Sequence, residues 1–149
     1  MIGGFIGFVF LLAYTLALLE IQIEGRDGWA AKAPCWRNNN KWIVRLNGGR
    51  PLTGYHFYLN IFMFLMIHFP FVLFWDWQLE KELLVWGALF LFWVVEDFSW
   101  FVFNPWYGLR NFKKAKISWH PNWWGPVPRD YYLGLVLSGL LLWFGRGGI

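Results

Sequence analysis

Charge is scarce in this chain and cysteine is nearly absent. Of 149 residues, 15% are Asp, Glu, Lys or Arg, while 58% are apolar and 23% aromatic. A soluble domain usually carries about 25% charged and about 45–50% apolar residues, so there is too little charge for a globule in water and too much apolar surface for a disordered or fibrous chain. The single Cys35 excludes an internal disulfide and a cysteine metal cluster. Three histidines are too few for the multi-histidine boxes of membrane desaturases and hydroxylases. No GxSxG elbow surrounds Ser99, Ser118 or Ser138, and no P-loop occurs. Neither an internal repeat nor a low-complexity tract divides the chain, which reads as a single domain over 1–149.

Long apolar runs are what the chain has instead. Crossing about 30 Å of hydrocarbon takes about 20 apolar residues at 1.5 Å each. Ile2 to Ile23, Tyr55 to Trp75 and Leu83 to Phe103 meet that length, and Asp76 to Glu82 reads as a short polar hairpin between the last two. The first run has no positive leader and no small-residue cleavage site, so a retained helix is expected there rather than a signal peptide. A fourth run, Tyr131 to Phe144, reaches only roughly 21 Å as a helix, and it spans by thinning the bilayer or by adding Gly145 and snorkelling Arg146. The expectation is an all-α polytopic membrane protein with four transmembrane helices, near 2–23, 55–75, 83–103 and 131–145.

The basic residues set the orientation. Of 13 Lys and Arg, only Lys81 and Arg146 fall outside the first and third connecting loops. The positive-inside rule then places both long loops in the cytoplasm and both termini outside, in the inner (plasma) membrane. Those loops mix Trp29, Trp36, Trp42, Trp106, Trp119, Trp123 and Trp124 with the cations, which suits a cap in the headgroup layer and contact with membrane lipids. Nothing in them resembles a nucleic-acid module.

Ionisable residues in or beside the apolar runs carry the chemistry, because a charge at a helix centre costs about 2.5–3.5 kcal/mol on insertion scales and tends to face the bundle interior. Glu20 and Glu24 share one helix face, and so do His56 and Asn60, and Glu96, Trp100 and Asn104, while Asp97 points about 100° from Glu96. With His120 in the cap and Asp130 opening the fourth run, these groups converge on one carboxylate-rich pocket beneath the cytoplasmic surface. Glu20, Glu24, His56, Glu96 and His120 are donors suited to a divalent Zn, Fe, Mn or Mg ion. Alternatively, Glu96, Asp97 and His56 serve as catalytic acid and base without a metal. The structural reading pairs Glu20 and Glu24 with Arg26 or loop cations, Glu96 or Asp97 with Arg110 or Arg129, and makes Asp130 an N-cap.

His68 lies near the middle of the second run and is the candidate cofactor-binding residue, for haem, chlorophyll or a quinone among aromatics. Haem would need a second histidine at that depth from another subunit, so a hydrogen-bonded packing histidine is the simpler reading. Gly3 with Gly7, and Gly134 with Ser138, are small-residue pairs suited to close helix contact within the bundle or in a homo-oligomer.

The segments Glu20-Ile21-Gln22-Ile23-Glu24-Gly25, Gly28-Trp29-Ala30, Pro34-Cys35-Trp36-Arg37, Leu52-Thr53-Gly54-Tyr55-His56 and Glu96-Asp97-Phe98-Ser99-Trp100-Phe101-Val102-Phe103-Asn104-Pro105 together resemble a family of small bacterial four-helix integral membrane proteins with no established activity. The resemblance covers nearly the whole chain and implies four spans and a bacterial setting, with no mechanism. The Gly145-Arg146-Gly147-Gly148-Ile149 tail departs from that pattern. The function expected is a membrane-embedded enzyme or binder acting on a lipid-like substrate. The alternative is an accessory subunit of a larger membrane complex, packing against partner helices, quinone or pigment, and a proton transporter ranks third.

Overall fold

The computed structural model describes residues 2–147, so the last two residues of the tail, Gly148 and Ile149, lie outside it. Its elements in chain order are α1 (Ile2–Glu24), β1 (Arg37–Asn38), α2 (Lys41–Leu46), β2 (Leu52–Thr53), α3 (Gly54–Phe74), α4 (Leu79–Phe103), β3 (Trp123–Trp124), β4 (Val127–Pro128) and α5 (Arg129–Gly145). The fold is all-α apart from two short antiparallel pairs, β1 with β2 and β3 with β4, which pin the two long loops. Among the described residues three helices, α1, α3 and α4, are long and apolar enough to cross a membrane.

The centre of the bundle is α4, along which both α1 and α5 pack. The face of α1 against it is a stripe of Val9, Ala13, Ala17, Glu20, Ile21 and Glu24, all buried, recurring at the three- and four-residue spacing of one helix side. Ala13 and Ala17 are fully buried, and their small side chains let the two backbones approach. The contact with α5 is closer still. A Cβ on Gly87 would lie 2.8 Å from Leu142, one on Gly134 2.7 Å from Val94, and one on Gly145 2.8 Å from the Glu80 carbonyl. The Gly134 and Ser138 pair, both buried, is therefore a contact inside the bundle. Gly3 and Gly7 meet nothing within 4 Å among the described residues.

Helix α3 is different. Thr53 caps it by accepting the His56 amide hydrogen, but no residue of its apolar membrane-length stretch is fully buried, and Met63 is among the few side chains that pack on the core. Phe62, Leu65, Phe69, Val72 and Leu73 are all exposed, an apolar surface far larger than soluble monomers show and natural for a helix meeting hydrocarbon.

Two boundaries differ from the sequence expectation. Helix α4 starts at Leu79, so Glu80 and Glu82 belong to its first turn, where the helix dipole favours carboxylates, and only residues 75–78 link it to α3. His68 lies six residues, about 9 Å, from the end of α3. Helix α5 starts at Arg129, with Pro128 as its N-cap. Asp130, expected as the cap, sits in the first turn and pairs with Arg50 at 3.4 Å and with Arg129 at 3.3 Å.

The two long loops fold over the ends of α1 and α4 as a cap with its own core. Asn104 closes α4 there, its Oδ1 accepting from the Trp106 and Tyr107 amides and its Nδ2 donating to the Gly25 carbonyl at 2.6 Å. Ile117, 1% exposed, is packed by Trp100, Phe101, Tyr107 and Trp119. Burial there pushes the Tyr107 phenol above its usual range, keeping it a neutral donor to the Lys116 carbonyl. At the opposite end the Lys81 ammonium hydrogen-bonds Asp76 and holds its carboxyl below the usual range.

Close helix contact at glycine makes a direct test. Gly87→Leu is expected to cost about 1–3 kcal/mol by overpacking and to lower the melting temperature in detergent, whereas Gly3→Leu leaves it unchanged. Equal melting temperatures for both variants would contradict the packing described.

Candidate functional site

Beneath the cap lies a cavity of about 280 Å³. Helix α1 contributes Glu20 and Glu24, and α3 contributes His56 and Asn60. From α4 come Glu96, Asp97 and Trp100, with Phe90, Trp93 and Val94 deeper in the bundle. Helix α5 adds Asp130, Tyr131 and Gly134, and the loops close the mouth with Trp29, Asn47, Arg50, Trp119 and His120. Helical spacing explains the gathering. Glu20 and Glu24 lie on the stripe of α1 that faces α4, and Glu96 and Trp100 lie one turn apart on the buried side of α4.

A stack of three side chains builds the mouth. The Trp29 ring lies parallel to His56, with centroids 3.9 Å apart, and the Arg50 guanidinium covers Trp29 at 4.5 Å. Trp29 is held by its indole N–H, which donates to the Pro51 carbonyl at 2.9 Å. The backbone bends sharply to deliver it, with φ of 48° at Trp29 and 47° at Ala30. Residues other than glycine held in that left-handed region cost of order 1–3 kcal/mol each, and such outliers concentrate at functional sites. Just before them Gly28, at φ 66°, passes so close to Trp119 that a Cβ would lie 2.5 Å from its ring. The bend also aims the Ala30 amide at the Glu24 carboxylate.

Three proton-bearing arrangements face one another across this space. In the first, the Thr53 hydroxyl lies 2.6 Å from His56 Nδ1, and His56 Nε2 faces Glu24 at 3.6 Å, outside hydrogen-bond range. In the second, the Tyr55 hydroxyl donates to Glu20 at 2.9 Å, and the buried Glu96 lines the same cavity. In the third, Asp97 accepts from the Tyr131 hydroxyl and from His120 Nε2, 3.1 Å away. Around them sit buried polar atoms without a partner among the described residues: Glu96 Oε1, Trp100 Nε1, His120 Nδ1 and Arg50 Nε. All four belong to residues that line the cavity.

Several expectations need correcting. Glu20 and Glu24 do not turn to Arg26 but to Tyr55 and the Ala30 amide, and Asp97 meets His120 and Tyr131 rather than Arg110 or Arg129. Glu20, Glu24, His56, Glu96 and His120 all border the cavity, yet among the described residues no three His, Cys, Asp or Glu side chains are arranged to hold one metal ion. His68 borders a different region. Its Nε2 contacts Glu82 at 2.9 Å and its Nδ1 the Phe64 carbonyl at 2.7 Å, so both ring nitrogens are engaged within the chain. Glu82 also accepts from the Trp77 and Trp86 indoles, which makes that cluster a clamp between α3 and α4.

Sequence reasoning did not single out Trp29, Arg50 or Tyr131 for this site. The only signals were the glycines at Gly28, Gly48 and Gly49, which mark the turns that bring the loop inward at positive φ. No family model, curated protein or solved structure matches the chain.

If Asp97 holds His120 and Tyr131 together, the Asp97→Asn and Tyr131→Phe losses are not independent. A double-mutant cycle on thermal stability is expected to give a coupling of about 0.5–3 kcal/mol, and additive losses would sink the shared-acceptor description.

Proposed function

We propose that this is a four-span protein of a bacterial inner membrane that binds a lipid-like molecule by its polar head and carries out proton transfer on it. One observation carries the reading. Buried polar atoms are nearly always paired, and each left alone costs about 1–3 kcal/mol. Here Glu96 Oε1, Trp100 Nε1, His120 Nδ1 and Arg50 Nε, four of the five such atoms among the described residues, belong to residues that line one cavity, so that cavity suits a polar occupant. Its deeper wall of Phe90, Val94 and Gly134 suits an apolar continuation.

The acid and base follow from the hydrogen bonds. With its Nε2 proton donated to Asp97, His120 keeps a bare Nδ1 lone pair for use as the base. Glu96, buried and lining the same cavity, is the acid. His56 faces Glu24 as a second proton-accepting pair at the mouth. The fourth crossing is α5, which at 17 residues extends about 26 Å and packs along α4 in the opposite direction. The basic cap lies in the cytoplasm by the positive-inside rule, and both chain ends lie outside.

Mass spectrometry of gently solubilised protein tests the binding reading. Wild type is expected to carry a lipid-like molecule at near one per chain, and Glu96→Gln and His120→Asn to lose most of it. Unchanged lipid content in both variants would overturn the reading, and stoichiometric metal in the same sample would overturn the metal-free acid–base assignment.

Orientation has its own readout, because Cys35 is the single cysteine and sits in the first long loop. A membrane-impermeant maleimide is expected to leave it unlabelled on intact spheroplasts and to label it after permeabilisation. Labelling without permeabilisation would place the cap outside.

A further inference from the structure

The cavity and the cap that covers it differ in sign. Eleven Lys and Arg lie in the two loops, since 13 less Lys81 and Arg146 leaves 11. Only one of them, Arg50, lines the cavity; its Nη2 pairs with Asp130 and its guanidinium covers Trp29, which leaves its Nε as the part without a partner among the described residues. Facing inward are Glu20, Glu24, Glu96 and Asp97, with no lysine or second arginine among the lining residues. An anionic head placed there would meet like charge in a poorly hydrated space, so the cavity disfavours phosphate or carboxylate ligands however strongly the outer cap attracts anionic lipid.

The walls point the same way. Trp29, Trp93, Trp100 and Trp119 all border the cavity, and indole faces are the best aromatic partners for an ammonium group. Glu96 is 4% exposed, and its Oε1 has no hydrogen-bond partner among the described residues, which leaves a buried acceptor inside the aromatic wall. A volume of about 280 Å³ holds a small head and the first carbons of a tail, not a whole lipid. Phe90, Val94 and Gly134 give the cavity an apolar floor on the side away from the cap, which suits the first carbons of a tail.

We propose that the ligand is a cationic amphiphile: an amine or quaternary ammonium head set among Glu20, Glu96 and the indoles, on an apolar tail that follows α4 and α5 into the bilayer. This rests on the lipid-head reading above and narrows it to one class. The head carries N–H or polarised C–H donors for the unpartnered Glu96 oxygen, and its charge offsets the inward carboxylates without a metal ion. Arg50 and Asp130 close the mouth above it as an already neutralised pair.

The test uses the full chain in neutral maltoside micelles, with thermal shift and tryptophan fluorescence as readouts. The probes are dodecylamine, dodecyltrimethylammonium, dodecanol and dodecanoate at equal mole fraction, with Mg²⁺ or Zn²⁺ alone in separate samples. The two cations are expected to raise the melting temperature and change the indole emission, the alcohol to do so weakly, and the carboxylate not at all. Glu96→Gln is expected to weaken the response to the amines about tenfold. Trp93→Leu, which leaves every carboxylate in place, is expected to weaken the quaternary ammonium response by a few-fold. A response to dodecanol or dodecanoate equal to that of the amines overturns the cationic assignment while leaving a lipid site standing. A response to metal alone makes the cation an ion and also overturns it. No response to any amphiphile, together with lipid-free purified protein, removes the lipid-head reading itself.

Discussion

Burial of carboxylates inside a helix bundle is the constraint on which the rest of this structure depends. Glu20, Glu24 and Glu96 are each less than a tenth exposed, and Asp97 stands beside them. Hydrocarbon offers no hydrogen bonds, so each of these groups must find donors within the chain or be compensated by something the chain binds. The two long loops supply many of those donors. The strained bend at Trp29 and Ala30 brings an amide to Glu24, and the segment ending at His120 brings an imidazole to Asp97. Two tyrosines complete the set, Tyr55 from the start of α3 and Tyr131 from the start of α5.

The position of α4 follows from the same constraint. It is the helix carrying adjacent Glu96 and Asp97, whose side chains diverge, so it needs neighbours on two sides. Helix α1 covers one side with small alanines and its own glutamates, and α5 covers the other through glycines at close approach. Helix α3 is joined to the bundle mainly by polar clamps at its two ends, Tyr55 with Glu20 at one and His68 with Glu82 at the other. Its apolar middle remains exposed, which leaves that side of the bundle to lipid.

Separation of charge by location gives the molecule two electrostatic faces. The cap is basic and aromatic, while the space beneath it is acidic and lined by indoles. Two functions of tryptophan are thereby divided: Trp42, Trp106 and Trp124 are exposed on the cap, whereas Trp29, Trp100 and Trp119 enclose the cavity.

Composition and run length alone determined that this chain is helical with membrane-length apolar segments, because hydrophobicity over about 20 residues is a local property. Helical periodicity likewise made it legible that Glu20 with Glu24 and His56 with Asn60 share faces, since the angle per residue is set by the backbone. Which donor meets which carboxylate was not legible, because Arg50, Tyr131 and His120 reach their partners through turns and across sequence separations of 23 to 80. The same limit applied to His68, whose ring is engaged by Glu82 from the next helix. Local physics wrote the helices; only the packing of α1, α3 and α5 about α4, with the loops folded back over them, decided that these groups line one cavity.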